Sequence, residues 1–241
     1  MRATRMSAVG LVAVMACGFD PSAGSGPGGG AAGGPDGGSG SGSIGGQTDA
    51  ATGGDAATPV AQLVTPYGPP TTIGDLGGDG GSEFTGDCPA EHIVTGLDAE
   101  DNDFGLCRLR AVCSRLVVRD GVVEVLDPAT TQTFGNENSY YDIDPVDCPV
   151  GSVLVAFEGS ESRDGLVEHL RLSCAPIQWD GSNVSLGAAA EVSADLGSPS
   201  GGSSGAGACP AGQLAAGIAG RAGTIVDRFQ LRCYQLTATP E

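Results

Sequence analysis

One sequence unit occurs three times in this chain, and it limits the fold more than any other feature. Each unit opens with Cys-Pro and closes with alternating apolar residues and a Cys. The units are Cys88–Cys113, Cys148–Cys174 and Cys209–Cys233, so their opening cysteines lie 60 and 61 residues apart. An apolar residue and a Gly precede each unit, at Leu76-Gly77, Phe134-Gly135 and Leu196-Gly197. This periodicity predicts three equivalent structural modules.

Apolar residues alternate with a period of two inside each unit, as they do in a strand with one buried face. Phe229 and Leu231, for example, share parity with Cys233. The residue eight positions after the opening Cys is always small (Gly96, Ala156, Gly217). The pattern predicts a hairpin of two strands, with close backbone packing or a bulge at the small residue. We expect its turns at 98–104, 159–165 and 220–223, and about four strands per repeat.

The opening and closing cysteines come opposite each other in such a hairpin. We therefore predict disulfides within each repeat, at Cys88–Cys113, Cys148–Cys174 and Cys209–Cys233, although six cysteines allow many other pairings. Cys107 is left as the odd thiol and is expected to face inward as a small apolar residue, with disulfide exchange or an intermolecular bond as the alternatives. No base stands near it in sequence that would indicate a catalytic thiol.

The N-terminal segment is typical of an exported protein. Residues 1–16 have a positive start and a short apolar run, and Val14-Met15-Ala16-Cys17 resembles a bacterial lipobox. We predict a lipoprotein signal peptide and lipidation of Cys17, and the Gly at position 18 favours the outer membrane. An ordinary secretory signal with an incidental Cys is the alternative. Residues 17–61 are rich in Gly, Ser and Ala and are predicted to be a flexible linker to a folded domain at 62–241.

The composition excludes some classes of function. The formal net charge is −18, which argues against a nucleic-acid-binding protein, because neutralising phosphates requires clustered cations. Beyond the leader, no apolar run is long enough to span a bilayer. Eight cysteines together with a leader indicate an oxidising compartment.

The repeated pattern resembles the vitelline membrane outer-layer protein I family and a group of bacterial secreted lipoproteins. It consists of Cys-Pro, an apolar-Gly-apolar strand, a Gly-containing turn, an Asp and a closing Leu-x-Cys. The resemblance covers about residues 65–241 and is best in the third repeat, where Asp227 matches the family's Asp before the last strand. Glu168 and Cys107 stand there in the other two repeats. It implies an all-β prism of three four-stranded Greek-key sheets with pseudo-threefold symmetry, an architecture shared with jacalin-type lectins.

An acidic segment in the first turn is a candidate ligand or Ca²⁺ site. Hard cations prefer oxygen ligands of this kind, but the segment lacks the spacing of an EF-hand loop. A solvated acidic turn is the simpler interpretation, so no cofactor is predicted beyond weak Ca²⁺ binding. The carboxylates concerned are Asp98, Glu100, Asp101 and Asp103.

Arginines mark the outward face of the closing strands and indicate either recognition of acidic glycans or cross-strand pairing with Asp and Glu. They are Arg108, Arg110, Arg171, Arg228 and Arg232. We take Asp227 and Arg228, with the single tryptophan Trp179, as candidate glycan contacts. For Trp179, partial burial near a turn is the alternative to stacking on a sugar.

The sequence thus predicts a non-enzymatic, lipid-anchored protein of the cell envelope that binds glycans or another partner. A structural envelope protein stabilised by disulfides is the alternative. A glycan-processing enzyme is less well supported, because it needs a recognisable pair of positioned carboxylates.

Overall fold

The computed structural model describes residues 61–102, 104–136, 144–199 and 201–241, and these contain fourteen β-strands and no helix. The first seven strands are β1 (Gln62–Gly77), β2 (Ser82–Asp87), β3 (Ile93–Asn102), β4 (Gly105–Arg119), β5 (Val122–Thr130), β6 (Phe134–Gly135) and β7 (Asp144–Asp147). The other seven are β8 (Ser152–Glu161), β9 (Val167–Trp179), β10 (Val184–Leu186), β11 (Ala190–Gly197), β12 (Ser203–Ala208), β13 (Gln213–Ala222) and β14 (Val226–Pro240). Within these residues, therefore, no helical segment could cross a membrane.

Each repeat supplies the central hairpin of one antiparallel sheet, which confirms the predicted hairpins. The hairpins are β3–β4 in sheet I, β8–β9 in sheet II and β13–β14 in sheet III. In sheet I the next strands along the chain, β5 and β6, pair with β4, and β7 crosses over to pair with β3. In sheet II, β10 and β11 pair with β9, and β12 pairs with β8. This is the Greek-key order, in which the fourth strand lies beside the first.

Sheet III has the same order but takes its outer strands from the start of the domain. β1 pairs with β14, and β2 pairs with β13. A short pairing of Gln62–Val64 with Leu116–Val118 connects sheets I and III at one corner. The predicted prism of three four-stranded Greek-key sheets is confirmed. The strand count exceeds twelve because the third position in sheets I and II is divided between two short strands.

A cyclic set of hydrogen bonds shows the pseudo-threefold symmetry. The backbone N–H of each opening Cys donates to a backbone carbonyl of another repeat. The first repeat donates to the third, the second to the first and the third to the second. The accepting residue always lies seven positions after the opening Cys of its own repeat. The three bonds are Cys88 to Ala216 at 2.9 Å, Cys148 to Thr95 at 2.8 Å and Cys209 to Val155 at 2.7 Å. Equivalent residues therefore make the same backbone hydrogen bond in each repeat.

The small residue at the eighth position follows a β-bulge in every repeat, as predicted. The register shifts fall between Val94 and Gly96, between Leu154 and Ala156, and between Ala215 and Gly217. A Cβ on Gly217 would lie 2.5 Å from Asp87 Oδ1 and 2.8 Å from the Gly86 carbonyl, so the neighbouring outer strand leaves no room there.

The core lies between the three sheets. One cluster of buried apolar side chains includes residues of all three, among them Leu97 and Leu109 of sheet I, Leu170 of sheet II and Leu231 of sheet III. Aromatic pairs connect neighbouring sheets. Phe157 meets Phe229 edge to face at 4.8 Å, and Phe84 stacks on Phe134 at 4.0 Å between ring centroids. These contacts join the three sheets through one cluster, and a second cluster that includes Ile93, Val153 and Leu214 also draws on all three.

The three predicted disulfides are present, at Cys88–Cys113, Cys148–Cys174 and Cys209–Cys233. The prediction that Cys107 is a free thiol is wrong, because Cys107 is disulfide-bonded. Cys107 does face inward and is fully buried, as expected from its parity. The error arose because pairing within the repeats gave Cys107 no partner in its own hairpin.

Candidate functional site

The three hairpin turns meet at one end of the prism, which we call the turn end. Gly105 begins β4, and a Cβ there would lie 2.7 Å from the Val167 carbonyl and 3.5 Å from Ile225 Cγ2. Residues that follow the turns of repeats 1, 2 and 3 are therefore neighbours. The turns are shorter than the sequence predicted, because β3, β8 and β13 continue to Asn102, Glu161 and Ala222.

A glycine-rich segment at this end, Gly77–Gly81, runs from the last residue of β1 to the start of β2, and we call it the glycine loop. The N–H of Gly78 donates to the carbonyls of both Asp227 and Gly165, each at 2.7 Å. The N–H of Gly77 donates to Glu161 Oε2 at 2.7 Å. The loop is therefore fastened to the second and third repeats.

Two arginines hold the carbonyl groups of the glycine loop. Arg221 donates from Nε to the Gly80 oxygen and from Nη2 to the Gly81 oxygen, both at 2.8 Å. Arg228 donates from Nε to the Gly78 oxygen at 3.1 Å and from Nη2 to Asp79. Because these carbonyls are engaged, the loop keeps one conformation, and a ligand would meet a preorganised backbone.

The carboxylate of Asp227 lies directly against this loop. A Cβ on Gly81 would lie 2.5 Å from Asp227 Oδ2, and one on Gly80 would clash with Oδ1, so only glycine lets the loop approach the carboxylate. Burial raises the pKa of Asp227, and this effect outweighs the hydrogen bond from the Gly223 N–H, which lowers it. The carboxylate is thus half-buried and already partly stripped of water.

The equivalent positions in the other repeats do not offer an accessible carboxylate. Cys107, Glu168 and Asp227 all lie six residues before the closing Cys of their repeats. Cys107 is fully buried and Glu168 is 6 % exposed, whereas Asp227 is half-exposed. Among the described residues, the third repeat alone therefore combines this carboxylate with a glycine loop.

The outward arginines pair with acidic residues, mostly across neighbouring strands, which is the simpler of the two predicted interpretations. Arg110 contacts Asp98 at 2.7 Å, and Arg108 contacts Glu100 at 2.9 Å. In the other sheets the pairs are Arg171 with Glu158 and Asp195, Arg232 with Asp87, and Arg228 with Asp75 and Asp79. Each arginine is thus already occupied by carboxylates of the same chain.

The predicted acidic turn is largely a strand. Asp98 and Glu100 belong to β3, are buried, and form the ion pairs with Arg110 and Arg108. Asp101 is exposed, and Asp103 lies outside the described residues. In the part of the chain that the structure describes, no group of three or more potential ligands is placed to hold a metal ion. Weak Ca²⁺ binding stays a prediction.

Trp179 lies far from Asp227 and Arg228. It ends β9, twelve residues after Val167 at the turn end, which corresponds to about 40 Å along the strand. There it is half-buried and lines a cavity of about 460 Å³ together with Val118, Asp120 and Ser182. The three predicted glycan contacts therefore do not form one site. Asp227 and Arg228 come together at the glycine loop, and Trp179 does not.

Sequence reasoning missed the role of the glycine loop. The signal was present in the run Gly-Gly-Asp-Gly-Gly, which begins with the Gly of the Leu76-Gly77 landmark. What the run contacts depends on the pairing of β1 with β14, which brings Gly77 opposite Arg228 across 150 residues of chain.

Comparison with known proteins shows similarity in solved structures alone. No family model and no curated protein sequence matches the chain. Malaysian banana lectin is similar at 18 % identity and a TM-score of 0.44, covering 71 % of this chain and 99 % of that chain. A mannose-binding jacalin-related lectin from Ananas comosus is similar at 16 % identity and a TM-score of 0.43, covering 69 % and 98 %. A Calsepa lectin in complex with a biantennary N-glycan is similar at 15 % identity and a TM-score of 0.48, and the match covers 70 % of this chain and 99 % of that chain.

These similarities assign neither a family nor a ligand to this chain. The predicted resemblance to the vitelline membrane outer-layer protein I family is matched by no family model. The fold that this resemblance implies is confirmed by the sheet topology. Membership of that family stays a prediction.

Proposed function

We propose that this chain is a non-enzymatic glycan-binding module of the cell envelope, with its site at Asp227 and the glycine loop. The observation that carries the proposal is the asymmetry of the repeats. Of three equivalent positions, one holds a partly exposed carboxylate against a fixed glycine backbone.

This arrangement suits neighbouring hydroxyl groups of a sugar. A carboxylate accepts hydrogen bonds at both oxygens, and each bond to a charged group contributes about 1.5–3 kcal/mol. The partial burial of Asp227 limits competition from water. A loop that is held before binding loses little entropy when the ligand arrives.

Binding is favoured over glycan cleavage because four carboxylates close to the glycine loop are occupied. A glycosidase needs a second carboxyl group about 5–9.5 Å from the first, free to donate or accept a proton. In the described part of the turn end, Asp75 and Asp79 pair with Arg228, Glu83 pairs with Arg221, and Glu161 accepts from Gly77.

A glycan array tests the site. The full chain is expected to give saturable binding to a subset of sugars, and Asp227→Asn is expected to weaken it about tenfold or more, because the amide accepts at one position only. Glu124→Gln, which removes the same charge from β5, serves as the matched control and is expected to bind normally. Equal binding by the Asp227→Asn variant would exclude this site, and a silent array would favour the structural envelope role.

The pH dependence of binding gives an independent check. Burial raises the pKa of Asp227 above the ordinary value of 3.8, so its proton returns at a higher pH than for an exposed Asp. Protonation removes an acceptor, so glycan affinity should fall as the pH drops through this raised pKa. Affinity that holds constant down to the ordinary Asp value would contradict the role of the carboxylate.

The location is part of the same proposal. Three disulfides suit an oxidising compartment, and the leader is of the exported type. We place the protein at the outer membrane, anchored through an acylated Cys17. Acylation of the Cys17 sulfur and a disulfide between Cys17 and Cys107 exclude each other, because both use the same atom.

Peptide mass spectrometry without reduction tests the anchor. Protein from the membrane fraction is expected to yield an acylated N-terminal peptide that begins at Cys17. An uncleaved leader, or a Cys17 peptide joined to the Cys107 peptide, would overturn lipidation. Glycan binding at Asp227 would stand in either case.

A further inference from the structure

The outer face of sheet II carries a polar groove with a volume of about 430 Å³. We call it the sheet II groove and define it by Glu158, Ser160, His169 and Ser204. The backbone of Gly159, Gly205 and Ala206 forms the rest of its lining. Ser160 pairs with His169 on β9 and with Ser204 on β12, so three neighbouring strands present these side chains on one face.

Comparison of the repeats explains why a groove exists here. The cross-strand pair equivalent to Ser160 and His169 is Glu100 and Arg108 in sheet I. Those two long side chains form an ion pair at 2.9 Å and are only 8 % and 12 % exposed, so they fill the corresponding space. Serine and histidine are shorter and leave the space open.

Sheet III fills the same position in another way. Its equivalent pair is Arg221 and Arg228, and both guanidinium groups reach the carbonyls of the glycine loop. In sheet II, therefore, Ser160 and His169 neither form an ion pair with each other nor contact a loop in the way that Arg221 and Arg228 do.

The hydroxyl of Ser160 points to a ligand. Ser160 is 8 % exposed, and its Oγ has no hydrogen-bond partner among the described residues. Buried hydroxyls are nearly always paired, and leaving one unpaired costs about 1–3 kcal/mol. A partner that arrives from outside, through the groove, would remove this cost.

The charged side chains around the groove already contact one another, which favours a neutral ligand. Arg171 contacts Asp195 at 2.8 Å and Glu158 at 3.1 Å, and His169 Nε2 lies 3.3 Å from Asp195 Oδ2. The groups left for a ligand are two serine hydroxyls and the imidazole edge. Each of these groups can donate or accept a hydrogen bond, so they are complementary to the hydroxyl groups of a ligand.

We propose that the sheet II groove binds one neutral sugar residue through Ser160, Ser204 and His169. The site is separate from the Asp227 site and does not depend on ligand binding there. Ser160 would exchange hydrogen bonds with a sugar hydroxyl in the position that the Glu100–Arg108 pair occupies in sheet I.

The two histidines allow a direct test by NMR, since the chain contains only His92 and His169. The full-length protein is titrated with methyl glycosides of glucose, mannose, galactose and N-acetylglucosamine, and with sialic acid as the anionic comparison. At least one neutral glycoside is expected to shift the imidazole signals of His169. His92 lies outside the groove, where it contacts the Ala90 and Asp127 carbonyls, so its signals should stay in place.

Variants separate the groove from the Asp227 site. Ser160→Val and Ser204→Val are expected to weaken the Kd about tenfold, because each removes a hydrogen bond and narrows the groove. Ser203→Val is the matched control, since its side chain lies on the opposite face of β12. Asp227→Asn should leave the His169 response unchanged. Failure of every neutral glycoside to move His169, a response that survives Ser160→Val, or one that is lost in Asp227→Asn would overturn the proposal.

Discussion

Gly135 shows how a single backbone position can dictate its residue type. It adopts a φ of 97°, and a Cβ there would clash with the Cys107 carbonyl and lie 3.0 Å from Arg108 Cα. Gly77 and Gly197 occupy the equivalent positions and meet the carbonyls of Asp227 and Glu168 in the same way. The apolar-Gly landmark before each unit is therefore a packing requirement.

Substitution of Gly135 can be compared with that of Gly181, which has nearly the same φ of 96° but nothing within 4 Å of the position that a Cβ would take. Gly181→Ala should cost about 1 kcal/mol, the strain of a left-handed alanine. Gly135→Ala should cost about 2 kcal/mol more, because the methyl group must displace backbone. Urea unfolding of both variants measures the difference, and equal losses would show that the contact with the Cys107 carbonyl is unimportant.

Residue identity alone did not reveal which ion pairs form. Arg110 and Asp98 lie in register on β4 and β3, so parity placed the arginine outward correctly. Arg228, however, contacts Asp75 and Asp79, which come from the opposite end of the domain sequence. Such a partner follows from the closure of sheet III, and no local pattern contains it.

At the scale of the element, the disulfide-closed hairpin is the repeating unit. The alternation of apolar residues and the two cysteines were sufficient to predict it. These features did not predict the lengths of its strands, since the acidic composition of segment 98–102 is typical of a turn. It is a strand because Arg108 and Arg110 on the facing strand neutralise its carboxylates.

The three disulfides should stabilise the prism almost equally. Their sequence separations are 25, 26 and 24 residues, and loops of that length correspond to about 3.5 kcal/mol each in the chain-entropy model. Double replacement by Ala at Cys88 and Cys113, at Cys148 and Cys174, or at Cys209 and Cys233 should therefore lower the free energy of unfolding by similar amounts in chemical denaturation.

An unequal result would be informative. If one pair cost less than about 1 kcal/mol while the others cost the full amount, its hairpin would retain structure in the denatured state. The equivalence of the repeats would then hold for geometry and fail for energetics.

At the scale of the whole molecule, sheet III is the closing element. β1 and β2 come from the start of the domain and flank β14 and β13 from its end. The final hydrogen bond of this closure joins the Glu241 N–H to the Ala61 carbonyl at 3.0 Å. A sheet built from both ends of the chain leaves β14 without an exposed edge.

Truncation tests this closure. A chain that begins at Ala61 is expected to unfold cooperatively, with a Tm close to that of the full chain, because every strand of sheet III is retained. A chain that begins at Gly78 lacks β1 and should lose cooperative unfolding, since β14 loses its partner and Leu76 leaves the core. Circular dichroism melts measure both, and a sharp transition in the shorter chain would show that β1 is dispensable.

The sequence by itself determined the repeat, the hairpins, the bulge at the small residue, the pairing of six cysteines and, through the family resemblance, the prism. These features depend on spacing and parity along one segment, which the chain carries locally. Tertiary structure alone decided the bonding of Cys107, the contact between Asp227 and the glycine loop, the distance of Trp179 from that site, and the open position at Ser160 and His169. Each of these depends on which distant strands become neighbours when the prism closes, and on which of three equivalent positions is left unfilled.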